Sequence, residues 1–275
     1  MLFRSGTSTL LLNSPRLESP ATRSAAYHGA LGGAGGTTRA VRRLWVSEFE
    51  WQDLRLGRFE TIGMDLTHLE KQLGCPLLGI IGFRTIRRYD LTVDYDRKEV
   101  TLCRLEPGGE RVDARRCPAE AIRMPFELAG PLPVIPVTVG GETLRFGVDT
   151  GATANVIDRS AHTRLSPAHY RELDRSFYLG VDNRSRAARR MRLHRTRVGP
   201  ADFDGMIAVV GDLSHLRRDF GIRLDGLLGY EFLRQRPMTL NFIKQELWIG
   251  TGLMASDTRL AQPNIKSRLQ PMVTR

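Results

Sequence analysis

Asp149 is the residue of this chain that is best placed to do chemistry. It follows the apolar segment 144–148, opens the tetrad Asp149-Thr150-Gly151-Ala152 and precedes a second apolar stretch around Val156-Ile157. The glycine predicts a tight turn between two strands. A carboxylate on such a turn is suited to general acid–base chemistry when a second carboxylate faces it. The question is therefore where a second carboxylate would come from.

A structural role is the alternative for Asp149. Turns favour Asp and Gly whatever the function, because an aspartate carboxylate accepts hydrogen bonds from backbone N–H groups nearby. The tetrad alone does not decide between the two roles, so the flanking segments have to.

The chain contains an internal repeat, which indicates two copies of one structural unit. A shift of 147 residues aligns 65–102 with 212–249 without a gap, and 11 of the 38 pairs are identical. Chance would give about two or three identities for ordinary composition. Each copy predicts a Gly-apolar-apolar-Gly strand, then a short helix, then a closing strand. The predicted helices cover 83–88 and 230–236, and the predicted closing strands cover 91–95 and 238–242.

Glycine-punctuated patterns of period two predict an all-β fold with short helices. Segments 137–139 and 143–148 flank Gly140-Gly141 and predict a β-hairpin. The chain is predicted to divide into a degenerate first copy, a turn-forming linker, a second copy and a basic, disordered tail. These four parts are 1–105, 106–122, 123–250 and 251–275.

Length and composition are typical of a globular protein, with 275 residues of which 41% are apolar. No stretch approaches the roughly 18 apolar residues of a membrane span, and Leu10-Leu11-Leu12 is too short for a secretory signal. The compartment is left open, since a start further upstream would allow export. The cysteines show no C-x-x-C spacing and favour neither a zinc site nor a disulfide scaffold; they are Cys75, Cys103 and Cys117.

The net charge of +11 comes almost entirely from arginine, with seven arginines in the run 184–197. A polyanion or an acidic peptide could bind such a run. The run has no interleaved aromatic residues and no recognisable nucleic-acid module, so a solvated face is the favoured interpretation and no nucleic-acid partner is expected.

On these residues the sequence resembles the retropepsin-like aspartic proteases, the retroviral and bacterial relatives of pepsin. The resemblance rests on 148–152, on Asp225-Gly226-Leu227-Leu228-Gly229-Tyr230 and on the closing strand 238–242. It covers 123–250 well and 1–105 as a degraded copy. It implies two tandem acid-protease β-barrel domains, the first of which is incomplete at its N-terminal side.

The resemblance implies hydrolysis of peptide bonds by an aspartic-type endopeptidase without a metal or another cofactor. Asp149 would hold the attacking water, and Thr150, Gly151 and Ala152 would support its loop. In this family two such loops face each other and their carboxylates share one proton. One carboxylate then acts as a base on the water, while the other polarises the scissile carbonyl of a peptide or protein substrate.

The first copy lacks the second carboxylate. Alignment of 3–13 with 148–158 places Arg4 at the position of Asp149, although the glycine and the following apolar strand are kept. A guanidinium there would favour ionised Asp149 and prevent proton sharing. The glycine-rich segment 32–36 resembles the flap of the family, and 179–181 is its looser counterpart in the second copy.

Three hypotheses follow from this defect. In the first, a homodimer forms an endopeptidase site from two copies of Asp149 across a two-fold axis. In the second, a catalytically inactive relative binds peptides in the surviving cleft, because Arg4 replaces the carboxylate. In the third, the run 184–197 binds a polyanion. The aspartic endopeptidase is the leading interpretation, and the inactive peptide-binding protein is its alternative.

Overall fold

The computed structural model describes residues 2–3, 10–17, 22–32, 38–51, 54–112, 121–179 and 185–251. Several residues singled out in the sequence lie outside these ranges. They are Arg4, residues 33–36 and 180–181 of the two flap-like segments, 113–120 of the linker with Cys117, Arg184, and 252–275 of the tail.

The first copy is mostly β-structure with two short helices among its described residues. Its strands are β1 (Leu2–Phe3), β2 (Leu11–Asn13), β3 (Thr22–Gly32), β4 (Thr38–Val46), β5 (Phe49–Trp51), β6 (Leu54–Leu56), β7 (Phe59–Met64), β8 (Gly79–Ile81), β9 (Tyr89–Asp94) and β10 (Glu99–Arg104). Its helices are α1 (Thr67–Leu73) and α2 (Phe83–Ile86).

The second copy has the same character and is more completely described. Its strands are β11 (Ala121–Pro125), β12 (Glu127–Ala129), β13 (Leu132–Val139), β14 (Glu142–Val148), β15 (Val156–Asp158), β16 (Tyr170–Leu179), β17 (Ser185–Leu193), β18 (Thr196–Val198), β19 (Ala201–Asp202), β20 (Ile207–Gly211), β21 (Gly226–Leu228), β22 (Met238–Asn241) and β23 (Glu246–Gly250). Its helices are α3 (Arg159–His162), α4 (Ser214–Phe220) and α5 (Tyr230–Leu233).

The two copies pair their strands in the same way. Strand β1 runs parallel to β8 with Phe3 opposite Ile81, and β14 runs parallel to β21 with Val148 opposite Leu228. Strand β2 lies between β8 and β7, as β15 lies between β21 and β20. The register therefore follows the alignment predicted from the sequence, in which Phe3 corresponds to Val148.

Repeated glycines end the repeated helices. Gly74 follows α1 with a φ of 67°, and Gly221 follows α4 with a φ of 70°. This left-handed conformation is open to glycine at little cost and is a common way for a helix to end. The predicted helices at 83 and 230 are present but end earlier, at Ile86 and Leu233. Pro237 disfavours helical backbone at the residue before it.

A shared sheet joins the copies. Among the described residues its order is β10-β9-β22-β23-β11, and β9 pairs antiparallel with β22. Thr92 lies opposite Thr239, which is its own equivalent 147 residues later, and their Oγ1 atoms are 2.8 Å apart. A pseudo-two-fold axis therefore passes through this threonine pair.

The hydrophobic core is continuous between the copies. Buried side chains from both β9 and β22 belong to the same cluster as Phe146 and Phe232 of the second copy. The members from the two strands are Leu91, Val93, Met238 and Leu240. Because apolar contacts cross the axis, the copies stabilise each other through burial as well as through backbone pairing.

The threonine pair on the axis can be tested by mutation. Thr239→Val is expected to lower the free energy of unfolding by about 1–2 kcal/mol, because it leaves the Thr92 hydroxyl without its partner. The double variant Thr92→Val/Thr239→Val should recover part of this loss, since both polar groups are then gone. Urea denaturation of the wild type, both single variants and the double variant measures the effect. A double variant less stable than Thr239→Val would contradict it.

The described part of the predicted linker packs against the shared sheet. The Asn241 side chain donates to the Gly109 carbonyl at 2.9 Å, and the Arg111 Nε donates to Asp90 Oδ2 at 2.6 Å. Asp90 is fully buried, and the Arg111 guanidinium also lies over the Trp248 ring at 5.6 Å. Segment 106–112 thus holds a buried charge in place. No helix among the described residues combines the length and apolarity that crossing a bilayer requires.

Candidate active site

Asp149 lies at the end of β14, in a loop held by backbone hydrogen bonds. Its N–H donates to the Leu228 carbonyl at 2.9 Å, which continues the pairing of β14 with β21. Its carboxylate Oδ1 accepts from the Gly151 N–H at 2.8 Å, and its carbonyl accepts from the Ala152 N–H at 3.1 Å. The side chain is half-buried. One carboxylate oxygen is therefore fixed by the turn.

The apolar alternation of β14 explains this placement. Leu144, Phe146 and Val148 are fully buried, while Arg145 between them is exposed. The strand is thus anchored in the core up to the residue before Asp149. The carboxylate follows the last buried residue, where the chain leaves the sheet.

Gly229 and Tyr230 hold the other side of this loop. The Tyr230 N–H donates to the Ala152 carbonyl at 2.8 Å. A Cβ atom on Gly229 would lie 2.6 Å from the Ala152 carbonyl oxygen and 2.5 Å from that of Ala154. Only glycine permits this close approach of the two backbone segments.

Asn155 is a supporting residue that sequence reasoning missed. It is fully buried, its Oδ1 accepts from the Gly229 N–H at 2.9 Å, and its Nδ2 donates to the Ile207 carbonyl at 2.9 Å. A polar amide directly before the apolar residues of β15 was the available signal. Asn155 therefore connects the Asp149 loop with β20 and with the start of α5.

Two other aspartates of the second copy accept hydrogen bonds from backbone N–H groups. Asp158 Oδ2 accepts from the Leu213 N–H at 2.9 Å, and Asn13 makes the equivalent bond with Leu66 in the first copy. Asp225 Oδ2 accepts from the Arg145 N–H at 2.8 Å. Because an asparagine replaces Asp158 in the first copy, that position requires an oxygen acceptor rather than a negative charge.

Asp149 lies near the first copy. Burial, together with the neighbouring Tyr230 and Asp149, raises the pKa of Tyr95 to about 12. Tyr95 follows β9 of the first copy, and its ring centroid lies 5.1 Å from that of Tyr230, so the loop that Tyr230 holds lies next to the first copy. The four residues of the tetrad thus lie in one loop next to the boundary between the copies. Arg4, the predicted degenerate position, follows β1 in the sequence and is outside the described residues.

The arginine run forms an alternating strand surface. From 188 to 198, five buried residues lie among the arginines of β17 and β18; they are Ala188, Met191, Leu193, Thr196 and Val198. Exposed Arg189 forms an ion pair with Glu172 of β16 at 3.3 Å. This pattern favours the solvated face that the sequence analysis preferred for the run.

Comparison with known proteins finds similarity in the second copy. Residues 135–232 match the family model described as aspartyl protease. A retropepsin-like aspartic protease from Rickettsia conorii is 17% identical over 47% of this chain and 89% of its own, with a TM-score of 0.31. No curated protein sequence gives a match.

A second solved structure spans both copies. The basic 7S globulin from soybean is 9% identical over 91% of this chain and 86% of its own, with a TM-score of 0.50. This likeness bears on the fold alone, which is mostly β with short helices. The matched residues include the Asp149 loop, Gly226 of β21 and Gly229 directly before α5. The similarity to the aspartyl protease family thus covers residues 135–232 of the second copy.

Proposed function

We propose that this protein is an aspartic-type endopeptidase in which Asp149 activates the attacking water. The geometry of the Asp149 loop carries this proposal. The Gly151 N–H orients the carboxylate, the Gly229–Tyr230 backbone holds the loop, and the half-buried side chain lies beside the first copy. A peptide or protein substrate would bind between the copies.

The proposed reaction needs no metal or other cofactor. Asp149 would accept a proton from water as the water oxygen forms a bond to the scissile carbonyl carbon. The resulting tetrahedral intermediate would collapse with cleavage of the C–N bond, and the leaving nitrogen would take up a proton. Polarisation of the carbonyl oxygen requires a second group, which relatives supply as a carboxylic acid. The sequence has Arg4 at that position.

The shared sheet favours a site within one chain over a site between two chains. Strand β22 of the second copy already pairs with β9 of the same chain across the pseudo-two-fold axis. A second molecule that used this edge would have to displace β9. The homodimer hypothesis predicts instead that activity rises with dimer content, which light scattering and rate measurements at several protein concentrations can test.

A peptide-binding protein without catalytic activity is the second candidate, and the Arg4 substitution is the observation that favours it. The scaffold of the first copy retains its strand register even though the aligned carboxylate is absent. Such a protein would bind extended peptides in the cleft and release them uncut.

Hydrolysis of an unfolded protein substrate separates the two candidates. The endopeptidase is expected to cleave fluorescently labelled, unfolded casein faster at acidic than at neutral pH, with loss of cleavage on addition of pepstatin. The Asp149→Asn variant, purified in parallel, controls for contaminating proteases. Equal cleavage by this variant would refute the assignment. Saturable binding of labelled peptides without any cleavage would identify the inactive binding protein.

A further inference from the structure

Two aromatic pairs occupy equivalent places about the pseudo-two-fold axis. The Tyr95 and Tyr230 rings are 5.1 Å apart at 78°, and the Phe83 and Phe242 rings are 5.2 Å apart at 80°. The shift of 147 residues relates Phe83 to Tyr230 and Tyr95 to Phe242. One pair therefore carries two hydroxyl groups, and its equivalent carries none.

The tyrosine pair is connected to the Asp149 loop. Tyr230 opens α5, and its N–H binds the Ala152 carbonyl within the loop. Tyr95 packs edge-to-face on the Tyr230 ring from the first copy. In space, Tyr230 thus connects Tyr95 to the Asp149 loop.

The raised pKa of Tyr95 agrees with this placement next to the Asp149 loop. Burial makes the largest contribution to raising the pKa of Tyr95 to about 12, and Tyr230 and Asp149 add to it. At the acidic and neutral pH of a protease assay the phenol is therefore neutral and retains its O–H donor. A neutral donor near a carboxylate can hydrogen-bond to it, to its water or to a bound peptide carbonyl.

Packing alone does not explain the hydroxyl groups. Phe242 fills the equivalent place against Phe83 and is 4% exposed, so phenylalanine satisfies the geometry of this contact. Burial of a hydroxyl has a desolvation cost that phenylalanine avoids. The hydroxyls occur on the side of the fold that carries Asp149.

We propose that Tyr95 is a positioning residue for Asp149, through which the first copy holds the Asp149 loop and places a neutral hydroxyl beside the carboxylate. The proposal rests on the proposed function, since Asp149 is taken as the group that activates water. It assigns to the first copy a role in the reaction that does not depend on a carboxylate at position 4.

The proximity of Tyr95 to Asp149 can be tested without any enzymatic activity. Protein labelled with 3-fluorotyrosine gives a fluorine NMR signal for each labelled tyrosine, and Tyr95→Phe identifies the signal of residue 95 by its loss. In Asp149→Asn the titration midpoint of this fluorophenol is expected to fall, because its ionised form no longer faces a carboxylate. A midpoint that is the same in both proteins would overturn the proposal.

The effect on the reaction is tested by kinetics. Tyr95→Phe is expected to lower kcat about tenfold with little change in KM, the pattern of a misplaced reacting group rather than of weaker substrate binding. Tyr89→Phe removes a hydroxyl at the other end of β9 and is the matched control, for which kcat should stay the same. Equal kcat values for the two variants would overturn the proposal. Absence of hydrolysis by the wild type would instead refute the proposed function, and the fluorine titration would still decide the role of Tyr95.

Discussion

Arg4→Asp is expected to raise the rate of peptide hydrolysis at acidic pH by about 10²- to 10⁴-fold, the range that a positioned acid or base contributes. Strand β1 pairs with β8 in the register that β14 uses with β21, and Arg4 follows Phe3 as Asp149 follows Val148. An aspartate at position 4 would supply the second carboxyl group. One proton could then be shared, with one side acting as the base and the other as the acid.

Two further variants make this experiment decisive. Arg4→Asn removes the guanidinium without adding an acid, so it should gain much less activity than Arg4→Asp. Asp149→Asn in the Arg4→Asp background should return the rate to the starting level. Values of kcat/KM for a fluorogenic peptide provide the comparison. If Arg4→Asn matches Arg4→Asp, the missing carboxyl group is not the limiting defect.

Arg111→Ala is expected to lower the free energy of unfolding by about 3–5 kcal/mol at neutral pH, the usual cost of breaking a buried ion pair from one side. The Asp90 carboxylate is 0% exposed and the Arg111 side chain 12% exposed, so the change removes the ion-pair partner of a buried carboxylate. The variant also removes the guanidinium from the Trp248 ring. Thermal or urea denaturation measures the loss.

The effect of Arg111→Ala should depend on pH. Burial raises the pKa of Asp90 above its ordinary value of 3.8, even though Arg111 opposes this shift. Without Arg111 the folded state should hold the Asp90 proton more tightly still. The stability from this protonation is present below pH 4 and is lost as pH rises through the folded-state pKa. The variant should therefore be most destabilised near pH 7 and less so near pH 4.

Arg55→Ala is the matched control for this change. It breaks the Arg55–Glu50 pair, whose side chains are 75% and 53% exposed, so little stability should be lost at either pH. Equal losses for Arg111→Ala and Arg55→Ala would contradict the importance of the buried pair.

The repeated β-structure could be predicted because its signals are local. The hairpin of β13 and β14 follows from period-two alternation around Gly140-Gly141, and it is present with the predicted turn. The alignment of Phe3 with Val148 follows from repeated sequence and agrees with the strand register. The boundaries of the four predicted parts and the catalytic role of Asp149 stay predictions.

The long-range contacts could not be predicted in this way. Pairing of Thr92 with Thr239 joins residues 147 positions apart, and no local pattern specifies which strands meet across an axis. The same holds for the burial of Asp90 against Arg111. At the candidate site the tetrad was visible as a motif. The contacts of Asn155 and Tyr95 could not be predicted, because each is made with a residue that lies far away in the sequence.

The axis through Thr92 and Thr239 has a genetic consequence. In a homodimer one gene encodes both halves, so a mutation on one side of the cleft is also present on the other side. Here each half has its own codons while β9 and β22 keep the halves aligned. One half could therefore lose a carboxylate, and each half could contribute one phenol next to the remaining Asp149 loop, with the common framework left in place.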